Sequence, residues 1–268
     1  MFIKFLRMNL LILIKRRFNL IVVLVALFFM LMSSYPTLNA IESMNGISII
    51  NVITNYDIST LALVSLRLCQ YIELATMLIA VYSTYTFYND RLYISVGMLA
   101  KSGTIFSLSQ SIMLLFVSMF MTLIEACLSA SYGLIVAGTD AHFYVNPVEF
   151  VNIYVDVFLH VWFLSLMCAM VTYFFRKSVI SYVLCLLLYL LRMPVVVVVN
   201  ILTIPYSRFL SYCFDSIIDL GSMSERRVFS DREIDGALCI ARVIEVILII
   251  SVTIINAIVA SRKRDVSV

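Results

Sequence analysis

The chain has 268 residues, 63% of them hydrophobic and 13% charged, and its mean hydropathy is +1.04, whereas soluble domains are about 45–50% apolar and about 25% charged. No globular core hides that much apolar surface, so a soluble enzyme, a nucleic-acid binder and a disordered linker are excluded, and the bilayer becomes the main solvent. The balance of 19 basic against 16 acidic residues, +3, is too small to attract nucleic acid and matters only through where the charges fall.

In chain order, residues 1–18 are apolar yet carry Lys4, Arg7, Lys15, Arg16 and Arg17. At helical periodicity Lys4, Arg7 and Lys15 share an arc that Leu11 interrupts, which predicts an interfacial helix with its bases toward anionic headgroups. A cleaved signal peptide ending at Ala40 is disfavoured because Leu38 is not small, so the segment is expected to be retained. Six stretches then approach the roughly 20 apolar residues a membrane helix needs: residues 19–34, 61–88, 105–130, 154–175, 179–202 and 238–260. Their apolar runs are continuous and contain few of the seven glycines and four prolines, which speaks against a β-barrel and against broken-helix carriers. The expected fold is an all-α polytopic membrane protein, a single transmembrane domain over residues 1–268 with six crossings.

Orientation follows from lysine and arginine. Arg91 and Lys101 lie between the second and third stretches, Arg176 and Lys177 between the fourth and fifth, and Arg262, Lys263 and Arg264 after the sixth. The loops near residues 35–60 and 131–153 carry only Glu42, Asp57, Asp140 and Glu149. Both termini are therefore expected in the cytoplasm.

Segment 89–103 is too polar to span, and Leu92, Val96 and Leu99 recur at helical spacing between charged ends, with Gly103 as a stop, so a short cytoplasmic helix is expected. Asn146 and Pro147 read as a cap and first helical residue. Within the outer segment 203–237, residues 208–220 form an amphipathic pattern with Phe209, Cys213, Ile217 and Leu220 on one side, Asp215 and Asp219 elsewhere, and Gly221 after it. That pattern predicts a helix dipping into the outer leaflet. The capping box at residues 230–233 starts the last helix near Asp231.

Chemistry is sparse. No phosphate-cradling glycine loop, zinc motif or nucleophile elbow is present, so neither a catalytic residue nor a metal site is expected and any ATP belongs to another subunit. The six cysteines have no metal spacing and read as small hydrophobes. His160 is expected to be a packed residue, with a proton relay as the alternative. Glu73 and Arg192 are the most informative charges, placed for a pair that either lines a pathway or ties two helices together. Arg67, Glu125, Asp156, Arg242 and Glu245 are expected nearer the outer ends, reaching water, with no acids or histidines clustered at one depth. Tyr82, Tyr85 and Tyr88 read as an interfacial belt, and the valine run 195–199 as helix, because a lone strand in lipid leaves backbone groups unpaired.

This layout resembles the permease subunit of the type two ABC exporter family, and its size and lack of a fused ATPase resemble bacterial peptide and lantibiotic exporters and self-protection permeases. The resemblance implies an N-terminal elbow helix at residues 1–18. It implies a coupling helix at residues 89–103, where Asp90, Arg91, Leu92, Val96, Leu99 and Lys101 would meet the ATPase, and re-entrant helices within residues 203–237. It further implies cytosolic ATPase subunits that bind ATP and magnesium, a second permease copy or a similar partner, surrounding membrane lipid, and a bacterial cytoplasmic membrane as the location. The substrate expected is amphipathic or hydrophobic: a peptide, lantibiotic, lipid or drug. A secondary carrier or channel, or an immunity protein that sequesters a toxin without ATP, are the competing expectations.

Overall fold

A computed structural model describes residues 2–45, 60–89, 103–137, 147–220 and 232–262. These form eight helices and no strand: α1 Phe2–Lys15, α2 Arg17–Asn45, α3 Thr60–Asn89, α4 Gly103–Ala137, α5 Pro147–Phe175, α6 Ser178–Thr203, α7 Arg208–Ile218 and α8 Arg232–Arg262. Four contain stretches long and apolar enough to cross a membrane: Thr104–Ser129, Val151–Phe175, Ser178–Thr203 and Gly236–Ser261. The apolar part of α2, Arg17–Met32, is shorter. The chain is a helical membrane protein.

Helices α3 and α5 form the centre. α5 packs against α3, α4, α6 and α8, and α3 against α2, α4, α5 and α6. Small residues on α3 permit this: Ala75, Thr76, Ala80, Ser83 and Thr84 are all buried, and in lipid, where apolar side chains gain little by leaving the solvent, close backbone approach and interhelical hydrogen bonds drive association. One apolar cluster joins Ile72 and Ile79 to Val117, Ile153, Val157 and Val161. A second joins Val81 to Met113, Leu166, Tyr173, Ile249 and Val252. Outward faces stay apolar, as lipid requires: on α6, Val183, Leu190, Val197 and Ile201 are all at least half exposed.

The chain breaks between α1 and α2 at Arg16, where Asn19 Nδ2 donates to the Leu13 carbonyl at 2.9 Å. α1 then lies against α4, held by a buried hydrogen bond from Asn9 Nδ2 to Ser109 Oγ at 3.0 Å. Its exposed side mixes Arg7 with Ile3, Leu11 and Ile14. Only Arg176 and Lys177 separate α5 from α6. Arg176 has a positive φ of 53°, a left-handed residue that ends α5 by donating its N–H to the Thr172 carbonyl at 2.9 Å.

Several expectations change in detail. α2 continues to Asn45 and α4 to Ala137, beyond the stretches of composition that suggested them. Gly103, read as a helix stop, is the first described residue of α4. The valine run is helical, within α6. The region 90–102, with Asp90, Arg91, Leu92, Val96, Leu99 and Lys101, lies outside the described residues, as do residues 221–231. Helix α7 buries residues of both its stripes. Ser211, Cys213, Asp215 and Ser216 are its buried residues, whereas Leu210 and Phe214 are exposed. Both neighbours supply partners for the buried residues: Ser211 Oγ bonds Asn200 Oδ1 of α6, and Cys213 Sγ lies 3.6 Å from the Ala237 carbonyl of α8. The Phe209 ring also sits 3.4 Å from where a Cβ would be on Gly236, so α7 and α8 come within van der Waals reach there.

Candidate functional site

Three helices, α3, α5 and α8, each carry an ionisable residue at the same level. Glu73, His160 and Glu245 are all buried. His160 bridges the other two, with Nδ1 3.1 Å from Glu245 Oε1 and Nε2 3.4 Å from Glu73 Oε1. Glu73 is the hub. Its Oε2 pairs with Arg192 Nη1 of α6, and its Oε1 accepts from Cys69 Sγ at 3.3 Å, one turn earlier.

Arg192 is 8% exposed and reaches a second acid, Asp219 Oδ1, at 3.7 Å. Asp219 gets there because α7 ends at Ile218, two residues before the expected Leu220; Asp219 leaves the helical conformation (φ −146°, ψ 84°) while its N–H still donates to the Asp215 carbonyl. The guanidinium carbon of Arg192 also lies 4.3 Å from the centre of the Tyr189 ring, whose hydroxyl donates to the Gln70 carbonyl of α3 at 3.2 Å. Stacking on an aromatic face and pairing with carboxylates together offset the cost of holding a cation away from water.

One helical turn toward the N-terminus of α5 the polar seam continues. Asn152, Asp156 and His160 follow each other at i, i+4 and i+8, one face of the helix. Arg242 of α8 pairs with Asp156 through Nε and donates from Nη2 to Asp156 Oδ2 at 3.0 Å and to the Asn152 carbonyl at 3.3 Å. Further along, Asn256 Nδ2 donates to the Leu166 carbonyl at 3.3 Å. α5 and α8 are thus joined by a ladder of polar contacts on otherwise apolar helices.

This arrangement corrects the expectation that Asp156, Glu125 and Glu245 reach water and that no acids or histidines cluster at one depth. Asp156, Glu125 and Glu245 are 4%, 1% and 3% exposed. Glu125 accepts from Ser129 Oγ at 2.8 Å. Glu245 and Arg242, three residues apart on α8, have different partners, His160 and Asp156. The signal available in the sequence was the i, i+4, i+8 spacing of Asn152, Asp156 and His160, which reading each residue alone concealed. Glu73 and Arg192 are in contact; the side chain of Arg67 lies outside the described residues. Tyr82 is half-buried against Phe18 of α2, with ring centroids 4.4 Å apart.

Beside the cluster, between α5 and α6, lies a cavity of about 340 Å³. Phe163, Leu164, Met167, Leu188 and Ile217 line it, and Arg192 is its charged lining residue. Among the described residues no group of three or more His, Cys, Asp and Glu is placed to hold a metal ion. No family model matches the chain, and no curated protein matches it in sequence.

Proposed function

We propose that the chain is the permease subunit of an ATP-driven exporter, crossing a bacterial cytoplasmic membrane six times with both ends inside and moving an amphipathic or hydrophobic substrate outward. The observation that carries the reading is the order of elements. A short basic helix, α1, is set off at Arg16 and packed against α4, and a short helix, α7, is folded between the last two long ones. In this reading α1 is the elbow, α7 the outer segment, and α2 and α3 complete the count of crossings; α3 is the polar, enclosed one. The lateral apolar cavity between α5 and α6 suits a chain-like or amphipathic cargo better than a sugar or an ion. ATP and magnesium reside on separate ATPase subunits, and a second permease copy or a similar partner completes the path. This chain itself performs no hydrolysis.

The test is purification of the tagged chain from its native membranes in mild detergent, with mass spectrometry of partners and an ATPase assay. A soluble ATPase is expected to co-purify, and the reversals Asp90→Lys and Arg91→Glu are expected to weaken its association. An intact oligomer without any nucleotide-binding partner defeats the reading and favours a carrier or a sequestering protein.

A further inference from the structure

The inner face of α6 lacks a protein partner over part of its length. Between Cys185 and Val196, Arg192 is the one buried residue of this helix, and Leu188, Leu191 and Val195 share its stripe at helical spacing. Apolar residues on a stripe turned toward the bundle are normally covered by it, yet these three are 45%, 52% and 43% exposed. Over this stretch α6 is tied to α3 by the ion pair of Arg192 with Glu73 rather than by apolar packing, and the space beside that pair is the cavity of about 340 Å³.

The walls decide what can enter. Phe163, Leu164 and Met167 of α5 and Ile217 and Ile218 at the end of α7 complete the lining. Water finds few hydrogen-bonding partners among such side chains, and an apolar void of this size left empty forfeits contacts all round. The one cation in the lining is already engaged: the Arg192 guanidinium meets Glu73, Asp219 at 3.7 Å and the face of the Tyr189 ring. Tyr189 in turn donates its hydroxyl to the Gln70 carbonyl. An ion, a sugar or a lipid headgroup is therefore poorly matched here, and hydrocarbon is well matched. Depth points the same way. Phe163 and Leu191 stand near the middle of the apolar stretches Val151–Phe175 and Ser178–Thr203, where a bilayer supplies acyl chains and little else.

We infer that the cavity binds one acyl chain of a bilayer phospholipid between α5 and α6. The chain covers Leu188, Leu191 and Val195 and takes the place of the packing that α6 lacks there. The inference deepens the cargo reading by narrowing it to a lipid acyl chain, and it rests on the cavity which that reading invoked. Its test needs no ATPase, so co-purification of an ATPase and occupancy of the cavity can each fail alone.

The test places the full chain in nanodiscs containing phosphatidylcholine with a diazirine near the end of one acyl chain, followed by irradiation and peptide mass spectrometry. Labelling of residues 163–168 and 188–195 is expected to exceed that of the outward face at Val197 and Ile201, which is exposed to lipid without enclosing it. Leu164→Trp fills the cavity and is expected to lower labelling there about tenfold, the effect of displacing about two methylenes from an apolar site, while the outward face stays unchanged. A single size-exclusion peak checks that the variant is folded, and Ile218→Phe fills the cavity from α7 should Leu164→Trp fail that check. If neither folds, the comparison of the two faces in the unaltered chain decides. Cavity labelling no stronger than that of the outward face, or undiminished in a folded filled variant, overturns the inference. Cavity labelling that appears only when protein is dilute in lipid assigns the cavity to a second copy of the chain and overturns it as well.

Discussion

Arg242 is held by both Asn152 and Asp156, and what its removal costs is set mainly by the acid left behind. Asp156 is 4% exposed, so Arg242→Met strands a buried carboxyl group, and a loss of about 3 kcal/mol in unfolding free energy in detergent is expected. The double variant Arg242→Met with Asp156→Leu is expected to recover most of that loss. Equal damage in the single and double variants would refute the account. Glu73 and Arg192 stand out in the sequence because a charge in a long apolar run is conspicuous. Their neighbours Asp219 and Glu245 do not, since Asp219 follows Asp215 at the end of a short helix and Glu245 follows Arg242 within one turn, and only tertiary packing determines which of those are drawn away from water.

Among the elements, α1 depends on few polar ties. The Asn9 to Ser109 bond is buried, and Ser109 Oγ keeps a second partner in the Phe106 carbonyl at 2.8 Å. Asn9→Ala therefore removes one hydrogen bond without stranding the serine, a loss of about 1 kcal/mol, and amide exchange in α1 is expected to quicken about fivefold while the exchange of α5 stays unchanged. Hydrogen exchange read by mass spectrometry checks this, and an unaltered α1 would show that the asparagine does not hold it. The long helices were legible from apolar run length, whereas the break after the first helix falls at Arg16 rather than at the expected residue 18. The orientation of α7 was not legible. Its sequence has one apolar stripe and one polar stripe, yet residues of both turn inward, toward Asn200 and Ala237 on other helices.

For the whole molecule, burial sorts the six cysteines into two sets. Cys127 and Cys239 are exposed, whereas Cys69, Cys168, Cys185 and Cys213 are buried. Burial also pushes the Cys213 thiol above its usual range, which lowers its reactive thiolate fraction. An apolar maleimide is expected to modify Cys127 and Cys239 in the folded protein, and all six after denaturation in detergent; modification of Cys69 or Cys168 in the folded state would disprove the packing of α3 and α5. The membrane class was legible at this scale from composition alone, because hydropathy is an aggregate property. The charged core was not, because it assembles residues from five helices.

The common level of Glu73, His160 and Glu245 has an electrical consequence. Voltage across a bilayer acts on charge only as it moves along the membrane normal, at about 2.3 kcal/mol per elementary charge per 100 mV for a full crossing. The contacts from Glu245 through His160 to Glu73 run from α8 through α5 to α3, across the bundle rather than along its helices, so a shift of charge among them traverses little of that field. Rearrangement of charge within this cluster is therefore nearly indifferent to membrane potential.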